Sequence, residues 1–242
     1  MVRLDRLLVD RGVCGSSEEA AALIMAGKVF VDDQLVDKAG ASVSPACTIR
    51  LKETLPYVSR GGFKLRGGLD YFNIDPRGWI CLDVGASTGG FTDCLLQAGA
   101  VLVYSVDVAY GLLDWKIRSD PRVVVLERCN ARYLTREQIP DPLDFCVIDA
   151  AFISLTRLLP PLNGLFGNRR IRILCLVKPQ FELERTEIGS GGIVSEEALR
   201  LKAVEKITNF GSELGLTSQG YVPAAIRGSK GNQEYLLYLK GV

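Results

Sequence analysis

From position 63 onward, short runs that are apolar throughout recur along the chain and alternate with stretches of helical character. The runs are Ile80–Val84, 101–106, Val123–Leu126, Phe145–Ile148 and 173–177. A strand that alternates apolar and polar residues faces the core on one side only, whereas one that is apolar throughout is covered on both. Helical stretches at 91–98 and 155–165 lie between such runs. Strand and helix alternating in this way predict an α/β fold, a mostly parallel Rossmann-like sheet with helices on both faces. The longest predicted helix is 195–214, and 217–222 with 235–239 then predict an antiparallel pair that closes the sheet.

A different pattern precedes this one. Leu4, Leu7, Leu8 and Arg11 recur at helical spacing until Gly12. Ser16-Ser-Glu-Glu19 is a capping-box signal that opens a second helix, running through Met25 to Gly27. Strands are predicted at Val29–Val31, at Leu35-Val36 beyond an Asp32-Asp33 turn, and at 48–51. The result is a small α+β domain over 1–55. A linker with Pro and paired Gly follows at 56–62, and the α/β domain occupies 63–242. There is no internal repeat.

The chain has no histidine, which removes mechanisms built on a histidine base or a histidine-ligated metal. Lys, Asp, Glu, Tyr, Cys or Ser must move any proton. Cys14, Cys47, Cys81, Cys94, Cys129, Cys146 and Cys175 are scattered with no Cys-x-x-Cys pair. That predicts reduced, half-buried thiols and no metal site. No apolar run approaches the roughly 20 residues that span a bilayer. The N-terminus threads Arg3, Asp5 and Arg6 through its apolar residues, unlike a signal peptide. A cytoplasmic protein with no membrane partner is expected. The net charge of +1 provides no global basic field, so any nucleic-acid contact must come from a local stripe.

The strand Ile80–Val84 runs into Gly85-Ala-Ser-Thr-Gly-Gly90 at the start of a helix. Ligands of open α/β sheets bind beyond the carboxyl ends of the strands. Here the glycines break the G-x-G-x-x-G spacing that suits a dinucleotide. Asp83 closes the first strand, where it is expected to meet a cationic amino-acid end. Asp107 closes the second, where it is expected to take ribose hydroxyls. Together these favour S-adenosylmethionine. The competing readings are a plain tight βα turn, and Asp107 as a turn cap.

Asp149 ends the fourth strand and Lys178 the fifth, so adjacent strands aim both at one crevice. A neighbouring cation or partial burial favours the neutral amine of a lysine, which can then accept a proton. Lys64 and Glu234 are further charges in Gly-rich or apolar surroundings. Taken singly, each reads as a surface charge or an ion pair.

Several stretches carry a resemblance. They are Arg3-Leu-Asp-Arg-Leu-Leu-Val-Asp-Arg-Gly12, Tyr57-Val-Ser-Arg-Gly-Gly62, the loop motif from Leu82 to Gln97, and Asp114-Trp-Lys116. Asn130-Ala-Arg-Tyr-Leu134, Phe152-Ile-Ser-Leu155, Leu176-Val-Lys-Pro-Gln-Phe-Glu182 and Lys230-Gly-Asn232 complete the set. Over essentially its whole length the chain resembles the hemolysin-type, TlyA-like family of ribosomal RNA 2′-O-methyltransferases. The resemblance implies an S4-type RNA-binding domain followed by an FtsJ-like class I methyltransferase domain.

It also implies a catalytic set of Lys64, Asp149, Lys178 and Glu234. Lys178 would deprotonate a ribose 2′-hydroxyl, supported by the other three. S-adenosylmethionine would be held by Asp83, Gly85, Ser87, Thr88, Gly89 and Asp107, with Asn130 near the adenine. Ribosomal RNA, free or in ribosomal subunits, would be the partner. Arg3, Arg6, Arg11, Lys28, Arg60 and Arg66 are the expected RNA contacts. The N-terminal domain is nevertheless not net basic, with seven Lys and Arg against eight Asp and Glu through Glu53. Asp149-Ala-Ala-Phe152 also departs from the family's Asp-Val-Ser-Phe and lacks its hydroxyl.

Two other classes compete. A membrane-active hemolysin requires an export signal or an amphipathic membrane segment, and neither is visible. A non-catalytic ribosome-binding factor has no need of the four charged residues.

Overall fold

A computed structural model describes residues 1–52 and 56–241. They divide into two compact units, Met1–Pro56 and Tyr57–Val242.

The first unit contains β1 (Val2–Arg3), α1 (Leu4–Asp10), α2 (Ser17–Met25), β2 (Val29–Val31), β3 (Gln34–Val36), β4 (Ser42–Val43) and β5 (Ile49–Leu51). Leu4 and Leu8 of α1 pack on Ala20 and Ile24 of α2, all fully buried. Ser16 caps α2 by accepting the Glu19 backbone N–H at 3.2 Å, as its position predicted. Asp32 and Asp33 both have positive φ, 47° and 62°. That is the two-residue hairpin geometry short Asp side chains tolerate, and it joins β2 to β3. β2 is the central strand of three, and β1 pairs separately with β4.

The second unit runs α3 (Gly61–Tyr71), β6 (Ile80–Val84), α4 (Gly90–Gln97), β7 (Leu102–Val106), α5 (Trp115–Arg118), β8 (Val123–Leu126), β9 (Phe145–Ile148), α6 (Leu159–Gly164), β10 (Ile171–Val177), α7 (Pro179–Glu182), α8 (Glu197–Glu213), β11 (Thr217–Pro223) and β12 (Tyr235–Gly241). Its seven strands lie in the order β11-β12-β10-β9-β6-β7-β8. β10, β9, β6, β7 and β8 are parallel, and β12 runs antiparallel to both β10 and β11. Leu82 and Val84 of β6 enter one core with Cys146 and Ile148, while Cys81 enters the other with Phe145 and Val147. Both faces of the sheet are thus buried, which is why these strands read apolar throughout. A fully buried leucine such as Leu82 contributes roughly 2 kcal/mol, against about 0–1 kcal/mol for an exposed ion pair such as Arg77–Asp75. The sheet, not the surface charge, holds the frame.

Two sequence expectations change. Gly61 and Gly62, read as a linker break, form the first turn of α3. A Cβ on Gly62 would lie 2.2 Å from the Tyr57 ring, so the glycine permits close packing there. Leu55, adjoining that linker, lies outside the described residues. The single helix expected at 155–165 is a 3₁₀ turn at Leu155–Arg157 followed by α6. Pro160 and Pro161 lack the N–H that would continue a helix through them, so α6 starts afresh.

Candidate active site

The strand order departs from β6 in two directions, through β7 to β8 and through β9 to β10. Ligands of open α/β sheets bind beyond the carboxyl ends at such a divergence. Val84 is level with Val106 of β7 and Ile148 of β9, so Gly85, Asp107 and Asp149 emerge side by side.

Gly85 has φ +84°, and a Cβ there would lie 2.7 Å from the Asp149 carbonyl oxygen. Only glycine lets the two loops approach so closely. Asp107 accepts the Ser87 N–H through Oδ2 and the Ala109 N–H through Oδ1, both at 2.8 Å. It therefore braces the loop as a cap while standing half-exposed at the cavity. The cavity is about 350 Å³, walled by Val108, Ala131, Ile153 and Leu158 with Asp107 and Asn130 on its lining. Apolar walls for an aromatic base, a carboxylate for vicinal hydroxyls and a glycine cradle fit the adenosylmethionine expected from sequence. Asn130 Oδ1 also caps the next turn, accepting the Arg132 N–H at 3.1 Å. Gly89 does not line this cavity; it caps the start of α4 at φ +94° and packs against Leu113.

Asp83, expected to meet a cationic amino-acid end, lies one residue before the end of β6. Side chains alternate along a strand, and Asp83 shares the face of Cys81, toward α4 rather than the crevice. It is fully buried, accepts the Thr92 hydroxyl at 2.6 Å, and leaves Oδ1 without a donor. Burial pushes its carboxyl up to about 7, opposed by the Thr92 hydroxyl and aided by the Asp149 charge. The unfolded value is about 3.9, so the native state binds this proton more tightly. The protonated form's stability is present below that value and is lost as pH rises toward 7. Asp83→Asn is therefore expected to gain stability relative to the parent between pH 4 and 8, by at most about 4 kcal/mol. Thermal unfolding of both proteins across that range measures it. A pH-independent difference would show that Asp83 does not titrate there.

Asp149, Lys178, Lys64 and Glu234 line one cleft of about 370 Å³, together with Gly85, Ser87 and Thr88. Lys178 Nζ lies 2.6 Å from Asp149 Oδ1, at an angle that leaves this oxygen without a well-directed donor. Lys64 Nζ donates to Glu234 Oε2 at 2.7 Å across 170 positions of sequence. The two lysine side chains are each 12% exposed, and the Glu234 side chain 4%. Two matched pairs thus keep the floor of the cleft electrically balanced, as burial at this depth demands. Pro179 follows Lys178 and holds it extended at the strand end, with ψ 102°.

The expected RNA contacts fare unequally. Arg3 is bound to Asp5 at 2.6 Å, and Arg11 donates to the carbonyl of Cys47 at 2.8 Å. Arg6 is exposed and Lys28 half-exposed. Arg60 lines the cleft of Asp149 and Lys178, whereas Arg66 pairs with Asp70 and lines a different cavity. Sequence reasoning passed over Arg227 and Ser229, which line the cleft, and Gln180 and Phe181, which line an adjoining cavity of about 500 Å³. Phe181 and Gln180 sat inside a quoted motif; Arg227 and Ser229 had no sequence signal at all. Burial pushes the thiol of Cys94 up to about 12 and raises those of Cys81, Cys146 and Cys175 further, so none of these is a ready nucleophile. Among the described residues, no group of His, Cys, Asp and Glu is arranged to hold a metal, and no helix is long and apolar enough to cross a membrane.

A sheet of this order, opening at its switch point onto such a cleft, defines a Rossmann-type methyltransferase. The FtsJ-like methyltransferase profile matches residues 57–241, and the S4 domain profile matches residues 2–46. The chain belongs to the FtsJ-like methyltransferase family, with an S4 domain at its N-terminal end. It is 46% identical over 240 residues to the 16S/23S rRNA (cytidine-2′-O)-methyltransferase TlyA of Mycobacterium tuberculosis, covering 98% of this chain and 89% of that one. Hemolysin A of Brachyspira hyodysenteriae is 37% identical, with 98% and 99% covered. A solved Streptococcus thermophilus structure, also named for hemolysins, has a TM-score of 0.76 at 40% identity, with 99% and 88% covered.

Proposed function

We propose that this methyltransferase transfers a methyl group from S-adenosylmethionine to a ribose 2′-hydroxyl of ribosomal RNA, in free RNA or in ribosomal subunits in the cytoplasm. The observation that carries this reading is the convergence of Lys64, Asp149, Lys178 and Glu234 in a cleft that shares Gly85, Ser87 and Asp149 with the cofactor-sized cavity. The resemblance to a named rRNA (cytidine-2′-O)-methyltransferase supplies the substrate class.

The cofactor supplies an electrophilic methyl group on a sulfonium centre. Asp107 would take its ribose hydroxyls, Asn130 and the apolar wall would hold its base, and Gly85, Ser87 and Thr88 would hold its amino-acid end. Lys178, as the neutral amine left once it has released one proton to solvent, accepts the proton of the substrate 2′-hydroxyl; Asp149 orients Lys178, and Lys64 with Glu234 holds the opposite wall. With no histidine in the chain, a lysine base is the arrangement this cleft offers. Most of the acceleration then comes from holding an activated oxygen in line with the methyl group.

Mass mapping of ribosomal RNA after incubation with labelled cofactor tests the reading. Methyl groups on ribose support it; label on bases alone, or none on any RNA or subunit, refutes it. A chain truncated before Tyr57 is expected to bind RNA at least about tenfold more weakly while binding cofactor as before. Filter binding and cofactor titration separate these, and equal loss of both would make the first unit a structural support only.

A further inference from the structure

Most cations of the second unit are engaged. Arg66, Arg77, Arg118, Arg122, Arg169 and Lys202 each face a carboxylate. Others donate to carbonyls, as Arg136 and Arg200 do, or lie over rings, as Arg128 and Lys240 do. Among the described residues six are left with no such partner; Arg157 and Arg170 lie on neither of two neighbouring cavities, and the other four gather there. Arg60 and Arg227 line the catalytic cleft; Arg185 and Lys230 line the adjoining cavity of about 500 Å³, which shares Lys178, Ser229 and Glu234 with it. All four are exposed.

Among the described residues, the only carboxylates on the two linings are Asp149 and Glu234, each already matched to a lysine. The floor is therefore neutral and the rim carries the charge. Like charges gathered without counter-charge repel one another, and a bound polyanion removes that repulsion. Three separate segments contribute: the residue before α3, the turn after α7, and the loop between β11 and β12. In the first unit Arg3 and Arg11 are engaged, while Arg6 is exposed and Lys28 half-exposed, and acids slightly outnumber bases there.

Resting on the RNA reading above, we propose that Arg185, Arg227 and Lys230, with Arg60, form a phosphate-binding rim that grips the RNA backbone on either side of the target ribose. These are binding residues; none has a part in proton transfer.

The test measures RNA affinity against salt for Arg185→Gln, Arg227→Gln and Lys230→Gln, singly and combined, using ribosomal RNA both free and in assembled subunits. Each lost phosphate contact is expected to reduce the slope of log K against log salt by about 1. The triple variant is expected to raise KM for RNA at least about tenfold, leaving the cofactor Kd and the kcat at saturating RNA within about threefold. Arg170→Gln is the control, because Arg170 is also exposed and without a partner but lies on neither cavity. An unchanged slope in the triple variant, or an equal drop in Arg170→Gln, overturns the rim. Wild-type protein run alongside separates the two ideas. If it methylates ribosomal RNA while the variants keep its slope, only the rim fails. If it methylates no RNA yet shows the rim-dependent slope, only the methylation reading fails. If it binds no RNA, both do.

Discussion

Lys178→Ala is expected to abolish methyl transfer, lowering the single-turnover rate by at least about 10³-fold, with RNA and cofactor binding within about twofold of the parent. The side chain that would take the 2′-hydroxyl proton is gone, and no histidine exists to replace it. The variant also leaves Asp149, 20% exposed at its side chain, without its counter-charge. Partial exposure limits that cost, so a stability loss of about 1–3 kcal/mol is expected and the protein still folds. Lys178→Arg separates proton transfer from charge. A guanidinium keeps the positive charge beside Asp149 but does not give up its proton in the physiological range, so this variant is expected to bind both ligands and remain inactive. An active Lys178→Arg protein would mean that charge, not proton acceptance, is what the site requires. Active Lys178→Ala would remove Lys178 from the mechanism.

Gly85→Ala is expected to have the second-largest effect, acting through geometry. The added methyl would lie 2.7 Å from the Asp149 carbonyl oxygen and 3.1 Å from Ala150 Cα, at φ +84°. Both obstacles are backbone, so neither turns aside as a side chain tip does. Left-handed strain of about 1–3 kcal/mol adds to the clash, and a total loss of about 2–4 kcal/mol in denaturant unfolding is expected. Relief requires the loop bearing Asp149 to move, and a displacement near 1 Å costs about 100-fold in rate. Cofactor affinity is expected to fall in the same variant, because Gly85 lines both cavities. Parental stability and rate in Gly85→Ala would show that the close approach is not a constraint on the site.

The sheet was legible because burial on both faces writes itself into composition: Ile80–Val84 and Phe145–Ile148 are strands that no exposed surface tolerates. Caps and turns were legible for the same local reason. Ser16 at the start of α2 and Asp32-Asp33 between β2 and β3 meet backbone needs within a few residues. Orientation and packing partners were not legible. Asp83 lies one residue before the end of its strand, and the alternation of side chains turns it under α4 to Thr92. Gly61 and Gly62 have the composition of a break, yet serve a packing contact with Tyr57 that depends on the folded ring position.

The sequence by itself determined the α/β alternation, the glycine loop with its acid partners, the lysine and aspartate on adjacent strand ends, and the exclusion of histidine chemistry. Each of these is a local or periodic property, carried by the identity and spacing of neighbouring residues. Only the tertiary structure decided that Lys64 meets Glu234 across 170 positions, that Asp83 faces inward, and that Arg60, Arg185, Arg227 and Lys230 gather at the mouth of the cleft. Those outcomes depend on which distant segments share a boundary and on which charges find a counter-charge there. Such pairings follow from packing, which leaves no period along the chain.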